Sequence, residues 1–209
     1  MRCIGLFDYT GVMLKPWLEA GYECHIFDIQ HPPGRTVRDD GMILWGKDLS
    51  DTLIAPIAAF QDVALLSCSP PCTDLSVSGA RWMKNKGLRA LQQAIGFFAT
   101  CTEAAESLNC PYLIENPVST IATYWRPSDY KFHPSWYAGY SGKHDNYTKE
   151  THLWTGNGFV MPDRDCYGDL FDGPDRNYIH HQSPGPERAN IRSAAPEGFA
   201  KAVFLANRT

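Results

Sequence analysis

A cysteine stands behind a pair of prolines in the stretch Ser69-Pro70-Pro71-Cys72. The prolines restrict the backbone in front of the thiol, and the stretch directly follows the apolar run of residues 63–66. A thiol held in this way at the C-terminal end of a buried strand is a candidate nucleophile. Forty-three residues after the cysteine, a second apolar run ends in Glu115-Asn116-Pro117, which supplies a carboxyl group. A thiol and a carboxyl together can combine covalent catalysis with proton transfer.

The segment between these two motifs predicts how they come together. Apolar residues recur there at helical spacing, at Leu88, Leu91, Ile95, Phe98 and Ala99. We expect a helix over 88–108 that crosses between two neighbouring parallel strands, one ending before Cys72 and the other at Glu115. Since parallel strands of a doubly wound sheet open onto one crevice at their carboxyl ends, the thiol and the carboxyl should share that crevice.

The rest of the chain continues this alternation of strand and helix. Apolar runs at 3–7 and 23–27 predict two further strands, with helical spacing between them at 14–18. The pattern predicts an α/β fold with a doubly wound sheet, in a single domain over residues 1–209. It also predicts a loop rich in proline and glycine at 31–40, an aromatic-rich insertion at about 124–150 and a loop-like segment at about 161–186.

The composition argues against several classes of protein. The chain has 209 residues and a formal net charge of -4, which is not typical of a protein that coats nucleic acid. No apolar stretch reaches the roughly 18 residues that a membrane span needs. The seven cysteines follow no spacing typical of a disulfide framework or a zinc site, and no N-terminal signal segment is evident. We therefore expect a cytoplasmic protein without a metal site.

Carboxylates follow three of the predicted strands and indicate a cofactor that contains a nucleoside. Asp8 lies in the turn after the first strand, Asp28 ends the second and Asp48 follows the third. A carboxylate after the second strand suits the paired hydroxyls of a ribose, and one after the third can accept from an exocyclic amine. The chain lacks both G-x-G-x-x-G and the phosphate-binding G-x-x-x-x-G-K-[ST], so we expect an adenosine-containing cofactor without a pyrophosphate. Alternatively, Asp28 and Asp48 cap the helices that follow them.

The order of these motifs resembles that of the cytosine-C5 methyltransferases, which use S-adenosylmethionine. Phe7-Asp8-Tyr9-Thr10-Gly11 resembles the first motif of that family, Phe-x-Gly-x-Gly, with Tyr9 in place of a glycine. Ser69-Pro70-Pro71-Cys72, followed by Leu75-Ser76, resembles its catalytic proline-cysteine motif. Glu115-Asn116-Pro117 resembles its Glu-Asn-Val motif. The resemblance implies a Rossmann-like methyltransferase fold.

Two later segments are similar to small phage-type members of the family. One is Lys149-Glu150-Thr151-His152-Leu153-Trp154, and the other spans residues 192–202. The chain leaves little room for the separate target-recognition domain that larger DNA-modifying relatives carry. Specificity should then come from loops or from a partner subunit.

The resemblance implies that the protein transfers a methyl group from S-adenosylmethionine to C5 of cytosine in DNA. Cys72 would add to C6 of the ring, while Glu115, with a pKa raised in an enclosed pocket, would bond to N3. Asn116 would orient the loop or bond a ring substituent. The cofactor would lie against Phe7, Asp8, Tyr9, Thr10, Gly11, Asp28, Ile29, Asp48, Leu49 and Pro70. The substrate would contact Pro71, Ser76, Arg81, Lys84 and Lys149.

Other interpretations of the same residues stay open. The missing recognition domain also suits C5 methylation of a free nucleotide such as dCMP, or of RNA. A catalytically silent nucleic-acid-binding protein of the same fold is a further alternative. The basic stretch 81–89 can contact the phosphates of duplex or single-stranded DNA, or form a solvated surface. The aromatic residues of 124–147 can stack on unpaired bases or pack in the core.

Overall fold

The computed structural model describes residues 1–50, 55–77, 83–168, 173–176, 178 and 188–208, with the backbone alone at 55–56, 83–84, 188–189 and 191. The strands of this part of the chain are β1 (Arg2–Leu6), β2 (Glu23–Val37), β3 (Ile43–Gly46), β4 (Val63–Cys68), β5 (Tyr112–Pro117), β6 (Tyr130–Phe132) and β7 (Thr151–Gly156). Its helices are α1 (Lys15–Glu19), α2 (Ala55–Ala58), α3 (Met83–Lys86), α4 (Leu88–Leu108), α5 (Ile121–Tyr124), α6 (Arg188–Ser193) and α7 (Glu197–Asn207). Short 3-10 helices lie at Val12–Leu14, Pro134–Tyr140 and Lys143–Asp145.

The described strands form one mixed sheet in the order β3-β2-β1-β4-β5-β7-β6. β1 pairs in parallel with both β2 and β4, and β4 pairs in parallel with β5. β7 is antiparallel to both of its neighbours, β5 and β6. The expected α/β class is therefore confirmed, and the strand order reverses between β1 and β4. In open α/β sheets, ligands bind outside the carboxyl ends of the strands at such a switch point.

The core lies in two layers, one on each face of the sheet. Successive residues of a strand point to opposite faces. Leu113 and Leu153 therefore pack with Trp17 and Phe199 on one face. On the other face, Ile114 and Trp154 pack with Phe98 of α4. Burial on both faces explains why the central strands appear in the sequence as continuous apolar runs.

The crossover helix predicted between the two motifs is confirmed as α4. It begins after Gly87 and ends at Asn109, which adopts the left-handed conformation at φ 47°. Its buried face, which includes Ala94, Phe98 and Cys101, covers β4 and β5. None of the helices in the described part of the chain is long and apolar enough to cross a membrane.

The second strand is longer than the sequence predicts, because the segment from residue 31 is not a simple loop. Residues 25–28 pair with 43–46 of β3 in ascending order, whereas residues 35–37 pair with 45–43 in descending order. The strand therefore bends and returns along β3. A Cβ atom at Gly46 would lie 2.1 Å from the carbonyl oxygen of Pro32, so the bend requires glycine there. The prolines and the glycine at 32–34 are typical of a loop, so the sequence did not indicate this pairing.

The aromatic residues of 124–147 divide between core and surface. Phe132 and Tyr137 are buried and pack on Phe199 of α7, with ring centroids 3.9 and 5.0 Å away. Tyr124, Trp125 and Tyr130 are exposed, whereas Tyr147 is buried and Trp136 and Tyr140 are partly buried against the core. Packing accounts for the buried members, and only the exposed ones are accessible for stacking on a base.

Candidate active site

The loop that carries Cys72 continues directly from β4 at the switch point. The Ser69 amide donates to the carbonyl of Leu6 in β1 at 3.0 Å, which extends the pairing beyond the end of the strand. The amides of Leu75 and Ser76 donate to the carbonyl of Cys72 at 3.2 and 2.8 Å. Cys72 therefore begins a helical turn, and its thiol is half-buried.

Asn116 holds this loop against β5. Its Nδ2 donates to the carbonyl of Pro70 at 2.9 Å, and the side chain is fully buried. Farther along the loop, the amide of Thr120 donates to the carbonyl of Leu75 at 2.8 Å. These bonds join the residues after β4 to those after β5. The backbone positions of Cys72 and Glu115 are thereby set relative to one another.

Asn116 also has one unsatisfied group. Its Oδ1 is buried and has no hydrogen-bond partner among the residues that the structure describes. A buried acceptor left in this state costs roughly 1–3 kcal/mol. Native structures usually satisfy such groups, so its persistence beside the thiol loop is consistent with a site that accepts a ligand or shifts on binding.

Glu115 and Lys149 form an ion pair next to the thiol loop. The distance from Lys149 Nζ to Glu115 Oε1 is 3.7 Å, and both side chains are largely covered, with 15% and 18% of their surface exposed. Lys149 Nζ also donates to the carbonyl of Arg192 at 3.0 Å. The structure therefore brings together Cys72, Glu115, Asn116 and Lys149, which the sequence placed up to 77 positions apart.

The electrostatics of Cys72 reflect these neighbours. Burial raises the pKa of the thiol, and the negative charge of Glu115 raises it further. The positive charges of Lys149 and Arg192 lower the pKa and offset part of this effect. The thiol is therefore neutral at neutral pH, and any event that removes the charge of Glu115 favours the thiolate.

The turn after β1 is built around Asp8. Its Oδ1 accepts from the Gly11 amide at 2.7 Å and from Thr10 Oγ1 at 3.4 Å. Burial raises the pKa of Asp8, although these hydrogen bonds act in the opposite direction. A Cβ atom at Gly5 would lie 3.1 Å from Asp8 Oδ2, a tight contact that glycine avoids. Phe7 has φ 54°, a strained conformation that marks the chain reversal at the end of the strand.

Two residues support this turn from outside, although the sequence indicated neither of them. Arg38 Nη1 donates to the carbonyl of Thr10 at 3.0 Å. His31 is buried, its Nε2 lies 3.2 Å from the carbonyl oxygen of Asp8, and its ring stacks on Tyr9 at 5.4 Å. Because a carbonyl only accepts, Nε2 of His31 carries the proton. Both residues lie in the segment 31–40 that composition assigned to a loop, so no periodic signal identified them.

A crevice lies between the turn after β1 and the part of β2 around Asp28, where its parallel pairing with β3 ends. It is lined by Phe7, Asp8, Tyr9, Thr10, Met13, Asp28, Gln30 and Ser69, with Ser193, Ala194 and Ala195 on the opposite side. Asp28 Oδ1 accepts from the amide of Gln30 at 2.8 Å, which leaves its other carboxylate oxygen available for a ligand. The crevice encloses about 50 Å³, whereas pockets for drug-sized ligands occupy roughly 300–1,000 Å³.

Other predicted cofactor residues lie outside this lining. Ile29 is 67% exposed, and Leu49 is buried with the core on the α4 face of the sheet. Asp48 is exposed and accepts from the Ser50 amide at 2.8 Å, which lowers its pKa. Gly11 acts through its bond to Asp8, and Pro70 through its bond to Asn116. Their assignment to the cofactor stays a prediction.

The predicted substrate residues other than Lys149 differ in their exposure and in whether the structure describes them. Pro71 is exposed beside the thiol, and Ser76 is buried and forms an isolated bridge with Ser119. Arg81 and the side chain of Lys84 lie outside the described residues. In the same basic stretch, Lys86 pairs with Asp74, and Arg89 donates to Gln92 at 2.9 Å.

A larger cavity lies away from this site. It has a volume of about 300 Å³ and is lined at the start of β5 by Tyr112, with Trp125, Glu106 and Asn157 around it. Tyr112 begins β5, whereas Asn116, which contacts the thiol loop, lies near the other end, and no residue of the thiol loop is among the described residues that line this cavity. Within the described residues, no cluster of three or more histidine, cysteine, aspartate or glutamate side chains could hold a metal ion.

Comparison with known proteins found neither a matching family model nor a curated protein that is similar to the chain.

Proposed function

We propose that this protein transfers a methyl group from S-adenosylmethionine to C5 of cytosine in DNA, with Cys72 as the nucleophile. The observation that carries the proposal is the convergence of Cys72, Glu115 and Lys149 at the carboxyl ends of β4 and β5, with Asn116 bonded to the thiol loop at 2.9 Å. A nucleophile beside a carboxyl and a cation suits attack on an electron-poor ring.

Cys72 gives its proton to the carboxylate of Glu115, and the thiolate adds to C6 of the ring. Loss of the negative charge on Glu115 favours the thiolate, because that charge raises the pKa of the thiol. Glu115 then passes the proton to N3, which accepts the electron density that the addition releases. S-adenosylmethionine would supply an electrophilic methyl group for C5 and leave as S-adenosylhomocysteine. The C5 proton and the N3 proton then pass to solvent, while the bond from C6 to Cys72 breaks and the aromatic ring is restored.

The residues of the crevice fit an adenosyl group. Asp28 ends the first part of β2, which runs parallel to β3, and a carboxylate at this place suits ribose hydroxyls, while the ring of Tyr9 offers a surface for a base. The described residues that line the crevice include neither lysine nor arginine, in keeping with a cofactor without phosphates. The sheet order, with one antiparallel strand next to the edge, is compatible with the methyltransferase fold that the resemblance implies.

Cofactor binding requires this crevice to widen. Its volume of about 50 Å³ holds one or two water molecules, since each occupies roughly 30 Å³ in the liquid. Ser193 to Ala195 form the wall that lies opposite Asp8 and connects α6 to α7. Outward movement of this wall opens the crevice without disturbing the strands that hold Asp8 and Asp28.

The experiment is a methyl-transfer assay with labelled S-adenosylmethionine and four acceptors: duplex DNA, single-stranded DNA, RNA and dCMP. The proposal expects label in C5 of cytosine in DNA and none with the variant Cys72→Ser. Label in dCMP alone, or in RNA alone, would mean that this molecule, and not DNA, is the substrate. Cofactor binding without transfer to any pyrimidine would exclude both enzyme hypotheses and favour the catalytically silent nucleic-acid-binding protein.

A further inference from the structure

Arg192 lies at the junction of the two parts of the site. It belongs to the last turn of α6, and the next residue, Ser193, lines the crevice. Its carbonyl accepts the hydrogen bond from Lys149 at 3.0 Å, so its backbone lies beside the Glu115–Lys149 pair. The residue is exposed, and its guanidinium forms no ion pair within the part of the chain that the structure describes.

The other described cations near the thiol loop already have partners. Lys149 contacts the carboxylate of Glu115 and the carbonyl of Arg192, and only 15% of its side chain is exposed. Lys86 pairs with Asp74, two positions after Cys72. Among these residues, Arg192 is the one that is exposed and forms no ion pair with another described residue.

The charge of Arg192 also acts on the nucleophile. Together with Lys149 it lowers the pKa of Cys72 against the effects of burial and of Glu115. A charge that influences the thiol from an exposed position lies at the rim of the site, whereas Lys149 lies within it. A nucleotide whose base contacts Glu115 inside the site would extend its sugar and phosphate toward this rim.

We propose that Arg192 binds the phosphate group of the target nucleotide. The inference rests on the proposed function and adds a substrate-binding residue to it. A guanidinium binds two phosphate oxygens through parallel N–H donors, which fixes orientation as well as adding affinity. The nucleotide would be held at two points: its ring by Glu115 and Lys149, and its phosphate by Arg192.

The experiment measures binding of dCMP and of deoxycytidine by calorimetry to the inactive variant Cys72→Ala, with and without Arg192→Ala. Loss of the phosphate contact should weaken dCMP binding about tenfold, which corresponds to about 1.4 kcal/mol. Deoxycytidine, which has no phosphate, should bind within about twofold of the parent. Arg192→Lys should recover part of the loss, because a lysine retains the charge without the paired donors.

Arg35→Ala is the matched control. Arg35 is an exposed arginine that pairs with Trp45 of β3, at the opposite end of the sheet from β7. Its replacement should leave the affinity for both ligands unchanged.

The possible results separate this inference from the function on which it rests. Equal weakening of dCMP and deoxycytidine by Arg192→Ala, or no weakening of either, would overturn the phosphate contact while leaving cytosine recognition intact. If the parent binds neither dCMP nor a short single-stranded oligodeoxynucleotide that contains cytosine, the proposed substrate is wrong and the inference fails with it. If only the oligonucleotide binds, its affinity for the parent and for Arg192→Ala is measured as a function of salt concentration. The slope of log affinity against log salt should then be smaller for Arg192→Ala, by about the amount that one phosphate contact contributes.

Discussion

Asn116 and Pro70 are joined by a hydrogen bond of 2.9 Å from the side-chain amide of one to the carbonyl of the other. The bond crosses from β5 to the loop after β4. Because Glu115 precedes Asn116 and Cys72 follows Pro70 by two positions, this bond sets the separation of the carboxyl and the thiol. Cys68 and Ile114 are already aligned by the sheet, so the bond orients only the last few residues of each motif.

Asn116→Ala should reduce catalysis more than it reduces stability. Removing the donor leaves the carbonyl of Pro70 without its partner and allows the thiol loop to shift, and a misplacement of about 1 Å can cost roughly a hundredfold in rate. We expect kcat/KM to fall ten- to a hundredfold in the methyl-transfer assay. The free energy of unfolding in urea should fall by about 1–2 kcal/mol.

Asn207→Ala is the control for this prediction. Asn207 exchanges two hydrogen bonds of 2.8 Å with Val160 at the end of α7, far along the chain from the thiol loop. Its replacement should cost similar stability and leave kcat/KM within about twofold of the parent. Equal loss of activity in both variants would mean that Asn116 acts only through the stability of the fold.

The reactivity of Cys72 should respond in opposite directions to its two charged neighbours. Glu115→Gln removes the negative charge that raises the pKa of the thiol, so the thiolate forms at lower pH and alkylation by iodoacetamide becomes faster. Lys149→Met removes a charge that lowers this pKa, so alkylation becomes slower. The rates are measured against pH in a Cys166→Ser background, since Cys166 is the exposed thiol and the remaining five are buried.

Glu150→Gln provides the comparison for the alkylation rates. Its carboxylate lies 3.0 Å from His152 and is not among the main charges that shift the pKa of Cys72. The alkylation profile should therefore not change. Slower alkylation in Glu115→Gln would contradict the proximity of the two groups.

Asp28 and Asp48 should differ in their importance for the cofactor. Asp28 lines the crevice, and a hydrogen bond to a charged group contributes roughly 1.5–3 kcal/mol. Asp28→Ala should therefore weaken binding of S-adenosylhomocysteine at least tenfold in calorimetry. Asp48 is exposed and bonds to the amide of Ser50, so Asp48→Ala should change the affinity less than about threefold. If Asp48→Ala weakened binding more than Asp28→Ala, the adenosyl site would lie nearer to β3.

The folded protein should lose stability in mild alkali because of its buried thiols. Burial raises the pKa of Cys110 to about 11, while a thiol in the unfolded chain ionises near pH 8.5. A pKa raised by folding gives stability that is complete below the unfolded value and is lost as the pH rises toward the folded one. Each such thiol reduces the free energy of unfolding by about 1.4 kcal/mol per pH unit across this range.

The measurement is urea unfolding between pH 7.5 and 10.5, with Cys110→Ala as the comparison. The substitution costs stability at every pH by loss of packing, but it should make the alkaline slope shallower. A slope identical to that of the parent would show that Cys110 ionises equally in both states.

The sequence predicted the parts of the fold that depend on local periodicity. The crossover helix α4 and the strands before Cys72 and Glu115 follow from apolar spacing alone, and the structure has them where expected. The return of β2 along β3 was missed, because Pro32, Pro33 and Gly34 are typical of a loop. That pairing depends on contacts between strands, which no local pattern encodes.

The site was predictable to a similar extent. Asp8 and Asp28 were indicated by their positions after strands, and both line the crevice. Arg38 and His31 were missed, since each acts through a backbone carbonyl that carries no sequence signal. Arg192 was part of a recognised segment, but its proximity to Lys149 depends on how the end of α6 lies beside the residues that precede β7.

The most direct measurement of the proposed chemistry is a covalent trap with an oligodeoxynucleotide that contains 5-fluorocytosine, incubated with the protein and S-adenosylmethionine. Fluorine at C5 cannot leave as a proton does, so the bond between C6 and the cysteine persists after methyl transfer. Mass spectrometry of the digested protein should locate the adduct on the peptide that contains Cys72, and Cys72→Ser should form none. Turnover of ordinary cytosine without an adduct at Cys72, or full activity of Cys72→Ser, would contradict the assignment of Cys72 as the nucleophile.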